Sequence, residues 1–180
     1  MQSTDLTYSK QMSLSQRLVR YKAWANARSF GFMLTLPDAE IAQPRETFFG
    51  SILSTLQHNY VVDDIFKTHL EGRSHGYTDR LGDTPPALAL LWENVRVMDD
   101  WWISHVDGLT GAALQEEITF DFIGGGAGRM TRAEIVMHVV NHTSYHRGFV
   151  DELLGQIAAS SPACDFPVYL QEMARQPVQA

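Results

Sequence analysis

The segment HVVNHTSYHRG, residues 138–148, places a histidine at every fourth position: His138, His142 and His146. The whole chain has seven histidines, so this one stretch holds three of them. Neutral imidazole is a good ligand for zinc, nickel and iron(II), and affinity order alone does not choose among those metals. Residues four apart on a helix lie one turn apart and rotated by about 40°, so two such imidazoles can converge on one ion at about 2.0–2.1 Å each. All three cannot. His138 and His146 are separated by about 12 Å along a helix axis at about 1.5 Å per residue, beyond the span of two ligands on a single metal. Spacing leaves open whether the pair is His138 with His142 or His142 with His146, and a hydrogen-bonded core pair would satisfy it equally well.

A further ligand has to come from another element. His58 is the candidate, because it lies one turn from Val62 within an otherwise apolar run. Three imidazoles plus water would leave an open site, the arrangement expected for catalysis rather than for structure. Two familiar histidine chemistries are excluded. A zincin needs Glu directly after the first histidine of its pair, and after His142 stands Thr143. A di-iron bundle needs Glu-x-x-His pairs, whereas EIVMH spaces Glu134 and His138 by four.

Four helices are expected to carry these residues. Leu14, Leu18, Tyr21, Ala25, Phe32 and Leu36 fall on one helical stripe that Pro37 ends. Ile52, Leu56, Val62, Ile65 and Phe66 define a second helix from about Ser51 to Leu70. A third opens at Thr84 as N-cap with Pro85 in its first turn, carries Leu88, Leu91, Trp92, Val95, Trp102 and Val106, and stops at Gly108. Alternation at Ile118, Phe120 and Phe122 before GGGAG predicts a small β element over 117–130. Thr131 with Glu134 reads as a capping box opening a fourth helix that runs to Leu154, with Ile135, His138 or Val139, His142, His146, Phe149 and Leu153 facing inward. The fold class is therefore all-α: a four-helix bundle with a small β element between its third and fourth helices, and with any site built from inward side chains. The segment 71–83 and the tail after about Leu170 are expected to be mobile.

The 180 residues suit one domain, residues 1–180 with a core over about 14–170. With 14 Lys plus Arg against 21 Asp plus Glu the formal charge is −7, which repels a phosphate backbone, so no nucleic-acid partner is expected. The single cysteine, Cys164, permits no internal disulfide and no cysteine-based zinc site. It sits in a proline-bounded loop with no basic neighbour in sequence, which speaks against a nucleophile. MQSTDLTYSKQMSLSQ has no signal-peptide character, and no run of about 18 apolar residues suggests a membrane span. A cytoplasmic protein without a membrane partner is expected.

The stretches YKAWANARSF, FFGSILSTLQHNYVVDDIF and AEIVMHVVNHTSYHRGFVDELLGQIAASSPACDFPVYL resemble, in order and spacing, the DinB-like (damage-inducible, YfiT-like) metal-binding family from about Tyr21 to Leu170. The resemblance implies an up-down-down-up bundle, often dimeric, with a divalent metal (Zn, Ni or Fe) held by three histidines. Carried across, the histidine of TLQH is His58 and those of NHTSYHRG are His142 and His146, which leaves His138 to packing or to hydrogen bonding behind the ligands. The wider superfamily includes transferases and isomerases that use low-molecular-weight thiols such as mycothiol or bacillithiol.

Arg147 is a candidate for a small anionic substrate or thiol, with pairing to an acid on a neighbouring helix as the structural alternative. Asp63 and Asp64 lie more than a turn beyond His58, so they are candidates for bonding behind a ligand, not for ligation. Asp165 matches an acidic position common in the family and receives no role. Trp101 and Trp102 cannot both face one core, which directs one towards a dimer partner or a pocket wall. Two functions are compatible with these features: a metal-dependent enzyme of the thiol S-transferase or hydrolase type, acting as a homodimer on a small molecule, and a non-catalytic metal-binding stress-response or structural dimer. An open site beside a pocket would favour the first, and a fourth protein ligand or a sealed site the second.

Overall fold

The computed structural model describes residues 12–157 and 159–175. Much of the N-terminal stretch read for a signal peptide and the last five residues of the tail lie outside them. Six α-helices and one two-stranded sheet follow in the order α1 (Leu14–Met33), α2 (Asp38–Ala42), α3 (Ile52–Leu70), α4 (Leu88–Asp107), β1 (Glu117–Asp121), β2 (Ala127–Thr131), α5 (Arg132–Gly155) and α6 (Phe166–Arg175). The long helices α1, α3, α4 and α5 form an up-down-down-up bundle. In it α1 packs against α4 and α5, and α3 packs against the same two. The fold class is the expected one, and no described helix is long and apolar enough to cross a membrane.

Three of the four bundle helices start where the sequence provides partners for the free N–H groups of the first turn. Ser13 and Gln16 form a reciprocal capping box at α1, Ser51 accepts from the Ser54 N–H at α3, and Thr131 and Glu134 form the expected box at α5. Helix α4 departs from expectation: it starts at Leu88, after Ala87, with no side-chain cap. Pro86 holds Pro85 in extended backbone, so the helix cannot open at Thr84. Helix α1 ends at Met33, earlier than its apolar pattern, and Pro37 introduces α2 instead of merely ending α1. The β element is an antiparallel hairpin pairing Glu117 with Thr131 and Phe120 with Gly128. A Cβ at Gly128 would sit 2.5 Å from the Phe120 ring, so only glycine allows this ring to fold across the ladder.

Described residues of both segments expected to be mobile make ordered contacts. Residues 171–175 belong to α6, whose Tyr169 is buried against Tyr21 and Trp24 of α1, with ring centroids 5.9 and 5.6 Å apart. The backbone carbonyl of Asp165 accepts from the N–H groups of Val168 and Tyr169, which places that residue at the start of α6. The segment after α3 is tied to it, because the Tyr77 hydroxyl donates to Asp64 at 3.0 Å.

The core is split along the helix axes. One apolar cluster gathers Val19, Tyr21, Phe66, Trp102, Ile135 and Val139, and the other gathers Phe30, Ile52, Leu56, Leu91, Val150 and Leu154. Between them in sequence, each helix places polar side chains in the interior: Asn26 on α1, His58 and Asn59 on α3, Asp99 on α4, and Thr143, His146 and Arg147 on α5. Trp102 is fully buried. Trp101 stacks on His105 and takes Lys67 over its ring, so its contacts here are within the chain.

Candidate metal centre

The polar layer of α3 and α5 brings His58, His142 and His146 together. Their ring centroids are 4.5–4.9 Å apart. One nitrogen from each lies within 4.8 Å of the others, and among the described residues this is the one group of histidine, cysteine or acidic side chains so arranged. His58 and His146 are buried, and His142 is partly exposed at the edge of the site. The phase of α5 differs slightly from expectation. Thr143, Arg147 and Val150 occupy the centre of its buried face, His142 and His146 lie along its flank, and Phe149 is 45% exposed. The histidines therefore border the core and open outward, where an ion and a further ligand have access.

The backbone fixes the tautomer of His58. Its Nδ1 lies 2.7 Å from the Arg80 carbonyl oxygen, which can only accept, so Nδ1 carries the proton and Nε2 is left as a lone pair. That Nε2 faces the Nε2 of His142 at 3.1 Å. Two ligand nitrogens on a tetrahedral zinc sit about 3.3 Å apart when each Zn–N bond is about 2.0–2.1 Å, so the pair is already near ligating separation. The Arg80 carbonyl is itself held in place. Asp79 Oδ1 accepts from the Leu81 and Gly82 N–H groups at 2.7 and 2.9 Å. Gly82 adopts φ +70°, and a Cβ there would meet Val61 of α3 at 2.8 Å. The loop thus closes on α3 through a position that only glycine fills without displacement.

Burial and mutual repulsion keep the imidazoles neutral. Burial is the largest cause at His142, which is pushed down to about 3 with further contributions from His146, His58, His138 and Arg80. At His146 burial and then His58 push the value down to about 4, and at His58 burial dominates, opposed by its bond to the Arg80 carbonyl. These folded values lie below the ordinary 6.5, so the folded chain binds fewer protons than the unfolded one. Their contribution to stability is present above 6.5 and is lost as pH falls towards the folded values. Proton competition for a metal is accordingly expected near pH 4, not near the 6.5 that an unperturbed histidine suggests. Histidine resonances of the metal-free protein should show His142 and His146 still neutral at pH 5.5; half-protonation near 6.5 would contradict this placement.

The other sequence candidates take separate places. His138 lies outside the triad, with its ring on Phe66 at 4.5 Å and 5.7 Å from His142. Asp63 does not reach the histidines: its carboxylate pairs with Lys22 at 2.5 Å, and Lys22 also pairs with Asp99 at 2.6 Å. Arg147 turns towards α1, donating to the Tyr21 hydroxyl at 3.3 Å and to Ser144 at 3.1 Å, so the expected acidic partner is replaced by a phenol and a hydroxyl. Cys164 is half-buried and its thiol is pushed up by burial, consistent with an unreactive sulfur.

Sequence reasoning missed Phe49 and Arg80. Phe49, from the loop before α3, stacks on His58 at 4.5 Å and meets the edge of His146 at 5.1 Å. A cavity of about 580 Å³ opens beside the triad, lined by the three histidines, Arg80 and several aromatic rings. A second, of about 530 Å³, lies on the other side of Asp79, Arg80 and His142, against His69, His138 and the hairpin.

Comparison with known proteins bears on the family and the fold. Protein DinB of Bacillus subtilis (strain 168) is 25% identical over 163 residues, covering 86% of this chain and 92% of that protein. The crystal structure of a DinB-like protein from Bacillus cereus ATCC 10987 superposes with a TM-score of 0.59 at 16% identity, over 81% of this chain and 94% of that one, which shows the fold alone. The family model of the DinB family matches residues 9–177, a span that contains the whole bundle and all three clustered histidines. The chain belongs to the DinB family.

Proposed function

We propose that this protein binds a divalent transition metal (zinc, nickel or iron) through His58, His142 and His146, and that it is a metal-dependent enzyme of the thiol S-transferase type. The observation that carries the reading is an open cavity of about 580 Å³ against a three-histidine group that no further histidine, cysteine or carboxylate joins among the described residues. A closed structural site would have four protein ligands and no pocket. A metal ion at such a centre favours thiolate over thiol at neutral pH and so supplies a nucleophile.

The chain's own residues set the stage for that chemistry. The Arg80 carbonyl orients His58, Phe49 stacks against its ring, and the neutral imidazoles leave their lone pairs free at neutral pH. No carboxylate belongs to the group, so a hydrolytic route would lack the general base that zincins place beside their pair. Thiol transfer needs none: the sulfur–carbon bond forms as the leaving group departs with its electron pair, and the thiol proton passes to solvent. The same proposal includes a homodimer, the assembly that the family resemblance implies.

The test begins with elemental analysis of protein purified without a metal-affinity tag. Metal-loaded protein is then assayed with several low-molecular-weight thiols and an aryl chloride as acceptor. Chloride release that depends on both thiol and metal, and that is lost in His142→Ala, is the expected result. Stoichiometric metal with no consumption of any thiol would overturn the enzyme reading and favour a non-catalytic metal-binding bundle.

A further inference from the structure

The cavity beside the triad has an unusual lining for the surface of a chain with a formal charge of −7. Its apolar walls are aromatic: Phe48 is 86% exposed, Tyr145 62% and Phe149 45%, and all three surround the histidines together with Phe49. These rings touch one another and the site, with Tyr145 and Phe149 at 5.0 Å, Tyr145 and His146 at 5.0 Å, and Phe48 and Phe49 at 4.9 Å. Exposed aromatic residues gathered around one concavity mark a ligand surface, whereas scattered ones do not. Two charged residues line it. Asp79 is occupied by two backbone N–H groups, as described above. The Arg80 guanidinium has no ion pair or hydrogen bond among the described residues, although its carbonyl is engaged with His58. The lining therefore offers flat apolar faces and one uncommitted planar cation.

We propose that this cavity takes a flat aromatic anion, with its ring between Phe49, Tyr145 and Phe149 and its anionic group on the Arg80 guanidinium, and that Arg80 thereby selects the organic substrate of the centre. This inference rests on the proposed enzyme reading for its meaning, but the binding itself requires no metal. Guanidinium matches a carboxylate with two parallel hydrogen bonds, and aromatic walls reward a planar body with stacking area. The neighbouring cavity suits such a ligand less well, because it adds the Asp121 carboxylate to the Asp79 and Arg80 that both cavities share.

Isothermal titration with 2-naphthoate and its neutral analogue 2-naphthamide tests this on the full chain, both metal-free and zinc-loaded. Naphthoate should bind both forms and bind more tightly than naphthamide. Arg80→Met keeps the backbone carbonyl that holds His58 and should weaken naphthoate about tenfold or more while leaving naphthamide unchanged. Phe149→Ala should weaken both probes, whereas Phe122→Ala, on the neighbouring cavity, should weaken neither. No measurable naphthoate binding, equal affinity for acid and amide, or insensitivity to Arg80→Met would each overturn the proposal. Binding confined to the zinc-loaded form and indifferent to Arg80→Met would also overturn it, since the carboxylate would then be recognised by the ion. Zinc titration of the unmodified protein judges the metal reading separately, so failure of one is distinguishable from failure of the other.

Discussion

Alanine at His58, His142 or His146 should lower metal affinity by more than about 100-fold, beyond the 10–100-fold typical of losing a residue that only supports a ligand. Each substitution leaves two imidazoles where three nitrogens lie within 4.8 Å of one another. His138→Ala should fall at or below the lower end of that supporting range, because its ring packs on Phe66 outside the group. His58→Ala should have a further consequence. It releases the Arg80 carbonyl, so backbone amides of the 79–82 turn should exchange faster with solvent in this variant than in His146→Ala. Competition titrations against a chromophoric chelator rank the four variants. A large loss in His138→Ala with retention in His146→Ala would move the site one turn towards the start of α5.

Lys22→Met should destabilise the fold by about 3–5 kcal/mol, the typical cost of removing one partner from a buried ion pair. Lys22 is 1% exposed and bridges Asp63 and Asp99, and Asn26 donates to both oxygens of Asp99. Without the cation two carboxylates remain in the interior, and the melting temperature should fall by roughly 6–20 °C for a domain of this size. Burial pulls the Lys22 ammonium down, but the two carboxylates outweigh it and raise its value above the ordinary lysine range, so its contribution is present below 10.5 and is lost only in strong alkali. Burial is the dominant cause at Asp63, whose carboxyl is pushed up to about 6 despite Lys22. Since that folded value exceeds the ordinary 3.8, the Asp63 contribution is most favourable at low pH and erodes as pH rises from about 4 to 6. The deficit of Lys22→Met should therefore shrink as pH is lowered towards 5, where the stranded Asp63 carboxyl takes up its proton. Replacing Lys22, Asp63 and Asp99 together by apolar residues of similar volume should recover most of the loss. Thermal melts at pH 5 and 8 test both statements, and an unchanged melting temperature in Lys22→Met would contradict the structural role.

What the sequence made legible follows the range of the interactions. The bundle helices and the α5 capping box depend on residues three or four apart, and their periodicity survives without knowledge of the fold. The His142–His146 spacing is local in the same way. The phase of α5 was less accessible, because Phe149 reads as core by its chemistry yet borders the cavity. The bond between His58 and Arg80 joins residues 22 apart, and Phe49 reaches the triad from a loop with no periodicity, so neither has a local signature. Lys22 and Asp63 were obscured for another reason. Charged side chains are read as surface residues, and their burial becomes intelligible only when α1, α3 and α4 meet. A signal was nevertheless present in the run of polar residues Lys22, Asn26 and Ser29 at helical spacing beside the apolar stripe of α1. Helix α6 was hidden because Pro167 reads as a loop residue, although the first turn of a helix tolerates proline.

The proposed centre has three histidines from two helices holding one ion with an open face. Anomalous diffraction from crystals of zinc-loaded protein, recorded above and below the metal edge, tests it most directly. A single strong peak is expected about 2.0–2.1 Å from one nitrogen each of His58, His142 and His146, with the remaining position turned to the aromatic cavity. A peak ligated by His138, a fourth protein ligand closing the site, or no peak at the triad would contradict it.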